Sequence, residues 1–235
     1  MRGLFVTGTD TEAGKTVLSA CLLAAMRDGG ENVGACKPVL TGTAEPAGDG
    51  WPADDVLLAR AAGIEAEAVT ALRFGPAVSP HLAAELEGSP IDPETLLARV
   101  RAALSGAGTA VVEGVGGLLV PIAGAWTVRD LAAELALPLL VAARPGLGTI
   151  NHTLLTLEAA RSAGLEVRAV VLTPWPQQPG EIELSNLRTI ARLGDVDVAT
   201  LPFVASAEPA ELARAGATLP WRGWLDGPPD PPPAA

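Results

Sequence analysis

The chain has 235 residues, of which 49% are hydrophobic and 18% are charged, and its formal net charge at pH 7 is −11. At roughly 150 residues per domain, this length predicts one large domain or two small ones, and the apolar content excludes a disordered chain. The acidic balance argues against nucleic acid and membrane surfaces as partners, because both attract proteins through clustered cations.

Short apolar runs alternate along the chain with segments of helical periodicity. In chain order, the predicted elements are strand Gly3–Thr7, helix Lys15–Asp28, strand Val33–Lys37, helices Asp55–Ala62, Pro80–Glu87 and Pro93–Leu104, strand Ala110–Glu113, helix Thr127–Ala136, strand Pro138–Ala142, helix Thr149–Ala163, strand Val167–Leu172, helix Glu181–Leu193, strand Val198–Leu201 and helix Pro209–Ala215. Several strands are apolar throughout, which is typical of strands buried on both faces of a parallel sheet. The alternation predicts a doubly wound α/β fold, with a mostly parallel sheet flanked by helices.

We expect one domain over residues 1–225. The proline-rich segment 226–235 has nothing to bury and is predicted to be a disordered tail. A glycine- and proline-rich loop is predicted over residues 44–52, ahead of the second predicted helix.

No segment has the pattern of a targeting or membrane-spanning sequence. The N-terminal apolar run turns polar at Thr7, unlike a signal peptide. The most apolar stretch is interrupted by Glu134 and Pro138, and a bilayer span needs about 20 apolar residues. Cys21 and Cys36 lack metal-ligand spacing and are predicted to be buried free thiols. We therefore expect a soluble, cytoplasmic protein.

The strongest functional signal is the segment Gly8–Thr16, GTDTEAGKT, which follows a predicted strand and opens a predicted helix. In a phosphate-binding loop, glycines let backbone N–H groups point inward, and the helix N-terminus adds partial positive charge. Lys15 would reach the outer phosphates, and the Thr16 hydroxyl would ligate Mg²⁺. The opening glycine stands one residue earlier than in the usual pattern, so the loop is a variant.

Further polar groups follow other predicted strands, at the edge where such sheets bind ligands. Lys37 would stabilise negative charge on a transferring phosphoryl group. Glu113 precedes a glycine-rich turn and could hold Mg²⁺. Asp54 and Asp55 open a helix, where N-capping accounts for one of them; which one is a metal ligand stays open. The turn before Thr149 leaves bare amides that suit a carboxylate, although an ordinary βα turn is the alternative.

Together these motifs resemble the dethiobiotin synthetase family. The segments that carry the resemblance, in the family's order and at similar spacing to about Val204, are Val6–Thr16, Lys37–Val39, Ser79–His81, Val112–Gly117 and Leu147–His152. The resemblance implies an ATP- and Mg²⁺-dependent ligase of biotin biosynthesis that joins 7,8-diaminopelargonate and CO₂ (or bicarbonate) into the cyclic urea of dethiobiotin. In that reaction an amine takes up CO₂ as a carbamate, and the carbamate attacks the γ-phosphate. The second amine then closes the carbamic–phosphoric anhydride; which amine is carboxylated stays open.

The resemblance also implies roles for individual residues. The expected catalytic residues are Lys37, Lys15 and Thr11, with Lys37 on the carbamate and γ-phosphate oxygens. The expected Mg²⁺ ligands are Thr16, Asp54 and Glu113. Nucleotide binding is expected from Glu12, Ala13, Gly14, Lys15, Thr16, Val17, Asp54, Glu113, Gly114, Val115, Gly116, Thr173, Pro202, Phe203 and Val204. The diamine is expected at Thr41, Gly148, Thr149 and Asn151, where the segment 148–151 would grip its carboxylate across a homodimer interface.

One position departs from the family pattern. Thr173 stands near the end of a strand where family members carry an asparagine that reads adenine. Because a hydroxyl cannot offer the paired donor and acceptor of an amide, nucleoside triphosphates other than ATP are expected alternatives. The alternative function is a nucleotide-switched regulatory or partitioning ATPase. That class carries an extra lysine near the start of its loop, and the segment Thr9–Thr11 has none.

Overall fold

The computed structural model describes residues 1–45 and 50–227. Over these residues the strands are β1 (Gly3–Gly8), β2 (Val33–Leu40), β3 (Thr70–Arg73), β4 (Thr109–Gly117), β5 (Pro121–Ala123), β6 (Trp126–Thr127), β7 (Leu139–Ala143), β8 (Val167–Trp175) and β9 (Asp197–Pro202). The helices are α1 (Lys15–Asp28), α2 (Asp54–Ala62), α3 (Pro80–Leu86), α4 (Pro93–Ala103), α5 (Val128–Leu135), α6 (Thr149–Arg161), α7 (Glu181–Gly194), α8 (Pro209–Gly216) and α9 (Trp221–Asp226). Every predicted strand and helix is present, with ends shifted by a few residues. Much of the loop predicted over 44–52 and most of the predicted tail lie outside the described residues, so the tail's disorder stays a prediction.

Seven strands form one parallel sheet in the order β3-β2-β4-β1-β7-β8-β9, and β5 pairs with β6 in a separate antiparallel hairpin. The order reverses direction on either side of β1, which places the connections on both faces. The predicted doubly wound α/β fold is therefore confirmed. Among the described residues, no helix is long and apolar enough to cross a membrane.

Alternate residues of the central strand β1 enter different cores, because neighbouring side chains of a strand point to opposite faces. Leu4 and Val6 pack in a cluster with residues of α1, α2, α8 and α9. Phe5 packs on the other face with residues of α3, α4 and α5. Both predicted buried thiols are found: Cys21 and Cys36 are free and buried, and burial raises the pKa of each to about 12.

Local sequence explains where several helices begin. Helices α3, α4 and α8 each start with proline, whose missing N–H has no helical partner at that position. The Asp92 carboxylate caps α4 by accepting the Thr95 N–H at 2.8 Å. Thr127 and Asp130 form a capping box at the start of α5, with the Thr127 N–H donating to Asp130 Oδ2 at 2.7 Å.

Three features of the fold were not predicted from the sequence. Strand β3 lies at the sheet edge and is only half-buried, and the β5–β6 hairpin has strands of three and two residues. Neither carries the long apolar run that identified the other strands. Helix α9 is docked by buried Trp221 and Trp224, and its last residue, Asp226, pairs with Arg2 at 2.8 Å. Asp226 therefore ends a helix, although the tail was predicted to begin there.

Several strands extend beyond their predicted ends, most of all β2, β4 and β8. Lys37 and Glu113 were predicted to end their strands, but β2 continues to Leu40 and β4 to Gly117. Strand β3, which was not predicted, explains the longer β2, because β2 pairs with β3 from Lys37 onward. The pairing of β2 with β4 stops at Cys36 and Val112, so the two strands separate where Lys37 and Glu113 follow.

Candidate functional site

The phosphate loop is closed by its own lysine. Gly14 lies at the N-cap of α1 with φ of 83°, a left-handed conformation that favours glycine. Lys15 is buried, and its Nζ donates to the carbonyl oxygens of Asp10 at 2.8 Å and Thr11 at 2.9 Å. The Thr11 N–H in turn donates to Asp10 Oδ1 at 2.7 Å. The Lys15 ammonium thus bonds to the backbone of the same loop in which it is predicted to bind phosphates.

The surroundings of Lys15 disfavour its charge. Burial lowers the pKa of Lys15 to about 8, and the nearby cation Lys37 adds to this effect, whereas Glu113 and Asp54 oppose it. A phosphate group at the loop would favour the charged form, because an opposite charge within a few ångströms stabilises it.

Beside the loop lies a cluster of buried charges. Lys37 Nζ donates to Glu113 Oε1 at 2.8 Å and also pairs with Asp54 Oδ2. The Thr16 hydroxyl donates to the same Glu113 oxygen at 2.8 Å. Lys37 is 5% exposed and Glu113 is 1% exposed. Lys37 and Glu113 directly follow the last paired residues of β2 and β4, and their side chains meet where the strands separate. Helix α2 supplies Asp54, and helix α1 supplies Thr16.

The partners of Lys37 keep it charged despite its burial. Burial alone would lower the pKa of Lys37, but the attraction of Glu113 and Asp54 and their hydrogen bonds outweigh burial and raise it. The other carboxylate oxygen, Glu113 Oε2, is buried without a hydrogen-bond partner. A buried, unpaired carboxylate oxygen is costly unless a cation or donor completes it, so this atom is a candidate cation ligand.

The structure separates the two aspartates that sequence reasoning left open. Asp54 faces Lys37, whereas Asp55 is buried and pairs with Arg73 at the end of β3. Asp54 is therefore the aspartate that joins Thr16 and Glu113. Within residues 1–45 and 50–227, no group of three or more histidine, cysteine or acidic side chains could hold a metal. Mg²⁺ commonly needs only one or two carboxylates beside phosphates.

Other predicted site residues follow Lys37 and Glu113 along the chain. Thr41 follows β2 and shares with Asp54 a cleft of about 630 Å³. Gly116 has φ of 63°, and a Cβ there would lie 3.8 Å from Thr11 Oγ1, so the two predicted cleft residues are adjacent. A Cβ on Gly114 would meet Val128 Cγ1 at 2.9 Å, so core packing requires this glycine. Val115 is half-buried.

The turn before α6 was expected to leave bare amides, but the Thr149 N–H donates to the Gly146 carbonyl oxygen at 3.3 Å. Gly148 has φ of 90° and provides no side-chain cap. The Thr149 hydroxyl is buried 3.4 Å from that of Thr153, whereas Asn151 is exposed. Leu147, beside the turn, is 98% exposed.

Two residues that hold neighbouring segments were missed by sequence reasoning. Arg144 Nη2 donates to Asp10 Oδ2 at 2.7 Å. Asn186 of α7 donates to the carbonyl oxygens of Pro145 at 2.8 Å and Gly146 at 3.0 Å. Neither lies in a motif, and each meets its partner only through the packing of distant segments.

The predicted base-binding residues lie on the other side of the loop. Thr173 is buried, and a Cβ on Gly14 would meet Thr173 Cγ2 at 2.8 Å. Pro202 is exposed at the end of β9, Phe203 is 69% exposed and Val204 is buried. A cleft of about 690 Å³ lies just beyond, lined by residues 50–52, 60 and 205–208. Of the remaining predicted loop residues, Glu12 is exposed, Ala13 is buried and Val17 is half-buried.

Comparison with known proteins decides the family. A family model described as an AAA domain matches residues 2–211. The ATP-dependent dethiobiotin synthetase BioD of Mycobacterium sp. (strain JLS) is 42% identical, with 97% of this chain and 99% of that protein covered. The protein of the same name from Bacillus subtilis (strain 168) is 37% identical, with 84% and 85% covered. This chain belongs to the dethiobiotin synthetase family.

Solved structures add information on the fold alone. A ParA family ATPase from Chlorobium tepidum has a TM-score of 0.53 at 13% identity, covering 95% of each chain. A chain of the MinC:MinD cell division protein complex from Aquifex aeolicus has a TM-score of 0.50 at 15% identity, covering 91% of this chain and 94% of that chain. The predicted class, an ATP-dependent synthetase, is confirmed by the family, and the regulatory ATPase alternative is not favoured.

Proposed function

We propose that this chain converts 7,8-diaminopelargonate, CO₂ and ATP into dethiobiotin, ADP and phosphate. The observation that carries the proposal is the buried Lys37, fixed between Glu113 and Asp54 beside the phosphate loop. A phosphate loop alone serves many chemistries. A second fixed cation beside it suits a reaction in which an anionic acceptor attacks the terminal phosphate, because preorganised charge stabilises the transition state.

The phosphate loop would bind the triphosphate. Backbone N–H groups of residues 12–17 at the start of α1 suit the phosphate oxygens, and the helix dipole adds to this attraction. Lys15 would turn from the Asp10 and Thr11 carbonyls toward the phosphates. Its present partners are neutral carbonyl oxygens, and the full negative charge of a phosphate attracts an ammonium more strongly than a carbonyl dipole does.

Lys37 would hold the reacting anions. One amine of the diamine adds to CO₂ and loses a proton, which gives a carbamate. A carbamate oxygen attacks the γ-phosphorus and ADP leaves. The second amine then attacks the carbamate carbon and phosphate leaves. The attacking nitrogen loses a proton to the released phosphate, which gives the cyclic urea. The Lys37 ammonium stays cationic and suits the carbamate and γ-phosphate oxygens. Thr41 offers a hydroxyl in the cleft that contains Asp54, and Thr11 offers one in a separate cleft beside Gly117.

Thr16, Asp54 and Glu113 would hold Mg²⁺. The fit is supported by the buried, unpartnered Glu113 Oε2 and by the Thr16 hydroxyl, which already reaches Glu113 Oε1. When bound, Mg²⁺ would neutralise charge on the phosphates. Lys37 already pairs with both carboxylates. Asp54 and Glu113 would therefore share their oxygens between the lysine ammonium and Mg²⁺.

The diamine's carboxylate would bind at Gly148, Thr149 and Asn151 in a homodimer. The dimer is supported by exposed apolar side chains beside the turn: Leu147, Leu155 and Leu119 are 98%, 60% and 55% exposed. A second copy of the chain would cover them. The small, polar substrates agree with the predicted cytoplasmic location.

Phosphate release tests the proposed function. With saturating ATP and Mg²⁺, the protein should release one phosphate per dethiobiotin formed, and only when both the diamine and bicarbonate are present. Release that does not depend on the diamine would contradict the proposal and favour a regulatory ATPase. A monoamine analogue is the matched control, because it can form the carbamate but cannot close the ring.

A further inference from the structure

Arg144 stands beside the phosphate loop because of how two strands pair. It follows β7 directly, and β7 runs parallel to β1 with Ala142 opposite Gly8. The Thr9 N–H donates to Ala142 O at 3.0 Å. Two residues further along each segment, Arg144 therefore lies next to Asp10, and its Nη2 donates to Asp10 Oδ2 at 2.7 Å.

The carboxylate that Arg144 holds belongs to the phosphate loop itself. Asp10 Oδ1 accepts the Thr11 N–H at 2.7 Å, and the Asp10 carbonyl accepts Lys15 Nζ at 2.8 Å. Asp10 therefore orients two residues of the loop. Arg144 and Asp10 are 51% and 50% exposed, and an ion pair this exposed contributes little to folding stability. Its effect is expected at the loop.

Arg144 also affects the electrostatic potential at the phosphate loop. Asp10 and Glu12 place two carboxylates on a loop that receives a triphosphate, and like charges repel. Arg144 pairs with the first and lies 4.0 Å from Glu12 Oε2 through Nη1. A guanidinium in this place offsets the local negative potential and occupies Asp10 Oδ2.

We propose that Arg144 is a positioning residue for the nucleotide site, which holds Asp10 and, through it, the Thr11 amide in the arrangement that accepts the triphosphate. The inference rests on the proposed nucleotide-dependent function. Beyond Arg144, the segment toward α6 has its own hydrogen bonds from Asn186, so the main effect of Arg144 is expected at the phosphate loop.

A double-mutant cycle on the full chain tests the proposal. The measurements are the Kd of a Mg²⁺-bound, non-hydrolysable ATP analogue by calorimetry, and the kinetics of diamine-dependent phosphate release. Arg144→Gln should weaken analogue binding about five- to tenfold, while kcat and the KM for the diamine change less than about twofold. Combined with Asp10→Asn, the same substitution should cost less than about twofold, because its partner charge is already gone.

Conservative and remote variants complete the experiment. Arg144→Lys should retain most of the affinity, since an ammonium can still pair with Asp10. Arg161→Gln removes the same charge from the end of α6, where Arg161 donates to the Asp195 carbonyl, and should leave Kd unchanged.

Three outcomes would separate the hypotheses. An equal loss in the wild-type and Asp10→Asn backgrounds would overturn the proposal, because Arg144 would then contact the phosphates directly. A lower Tm with unchanged Kd would overturn it in favour of a structural tether. If Kd follows the expected pattern but the diamine does not stimulate phosphate release, the positioning role stands and the proposed function fails.

Discussion

The two ends of the proposed nucleotide site are built from different residues. At the phosphate end, Lys15, Lys37 and Glu113 are charged and are 5%, 5% and 1% exposed. At the base end, Thr173 is buried against Gly14, whereas Phe203 is 69% exposed.

Burying charge costs free energy unless each charge has a partner, so the buried groups of the phosphate end persist only as a network. Thr173 carries no charge, and its methyl group lies against Gly14. The contrast indicates that the chemistry is fixed at the phosphate end and that the base end mainly supplies shape. Substitutions at the two ends should therefore differ greatly in effect.

Lys37→Ala should have the largest effect. Loss of a fixed cation at the reacting oxygens should lower kcat by about 100- to 1,000-fold. Nucleotide binding should weaken much less, since the phosphate loop remains. Single-turnover phosphate release and analogue binding measure the two quantities. Removing one partner of a buried pair also costs about 3–5 kcal/mol of stability, so circular dichroism must show a folded variant; a folded variant with near-normal kcat would refute the role of Lys37.

Glu113→Gln tests the metal site at the same end. The amide keeps the size of the side chain but loses the charge that suits Mg²⁺, so the Mg²⁺ concentration for half-maximal activity should rise about 100-fold. Mn²⁺ binding followed by electron paramagnetic resonance, with the ATP analogue present, gives a readout independent of turnover. Unchanged Mn²⁺ affinity would exclude Glu113 as a ligand. Glu31→Gln, which alters an acid remote from the loop, is the matched control.

At the phosphate end, contacts between residues close in the sequence could be predicted, whereas contacts between distant segments could not. The phosphate loop was predictable because its residues are consecutive. The Lys37–Glu113 contact spans 76 residues and depends on β2 leaving β4, which follows from the unpredicted strand β3. The same strand supplies Arg73, which holds Asp55 and so distinguishes it from Asp54.

Helix and strand patterns predicted the order of elements, and hence the doubly wound fold, because burial on both faces leaves a signal in each strand. Arg144 and Asn186 left no such signal. Each is a single polar residue whose partner is set by register or packing between distant segments, which composition and spacing do not record.

The pH dependence of nucleotide binding and of stability tests the role of Lys15 at the phosphate end. Because burial lowers the pKa of Lys15 from 10.5 to about 8, the free protein loses this charge near pH 8. Affinity for the ATP analogue should be constant below about pH 7 and about tenfold weaker at pH 9. The free energy of unfolding should move oppositely: between about pH 8 and 10.5 the unfolded state binds more protons, so this group's contribution rises with pH. Lys15→Met should abolish both trends, and a wild-type affinity that stays flat to pH 9 would contradict the assignment.

Substitutions at Thr173, at the base end, should have the smallest effects. If the base end supplies shape only, KM values for ATP, GTP and CTP should agree within about fivefold, since no paired donor and acceptor reads the base. Thr173→Asn should raise the preference for ATP about three- to tenfold, the worth of one or two added hydrogen bonds. Thr173→Val is the matched control, because it keeps the methyl that packs against Gly14 and removes only the hydroxyl. A shift in base preference in the valine variant would mean that the hydroxyl reads the base, and the base end would then supply chemistry as well as shape.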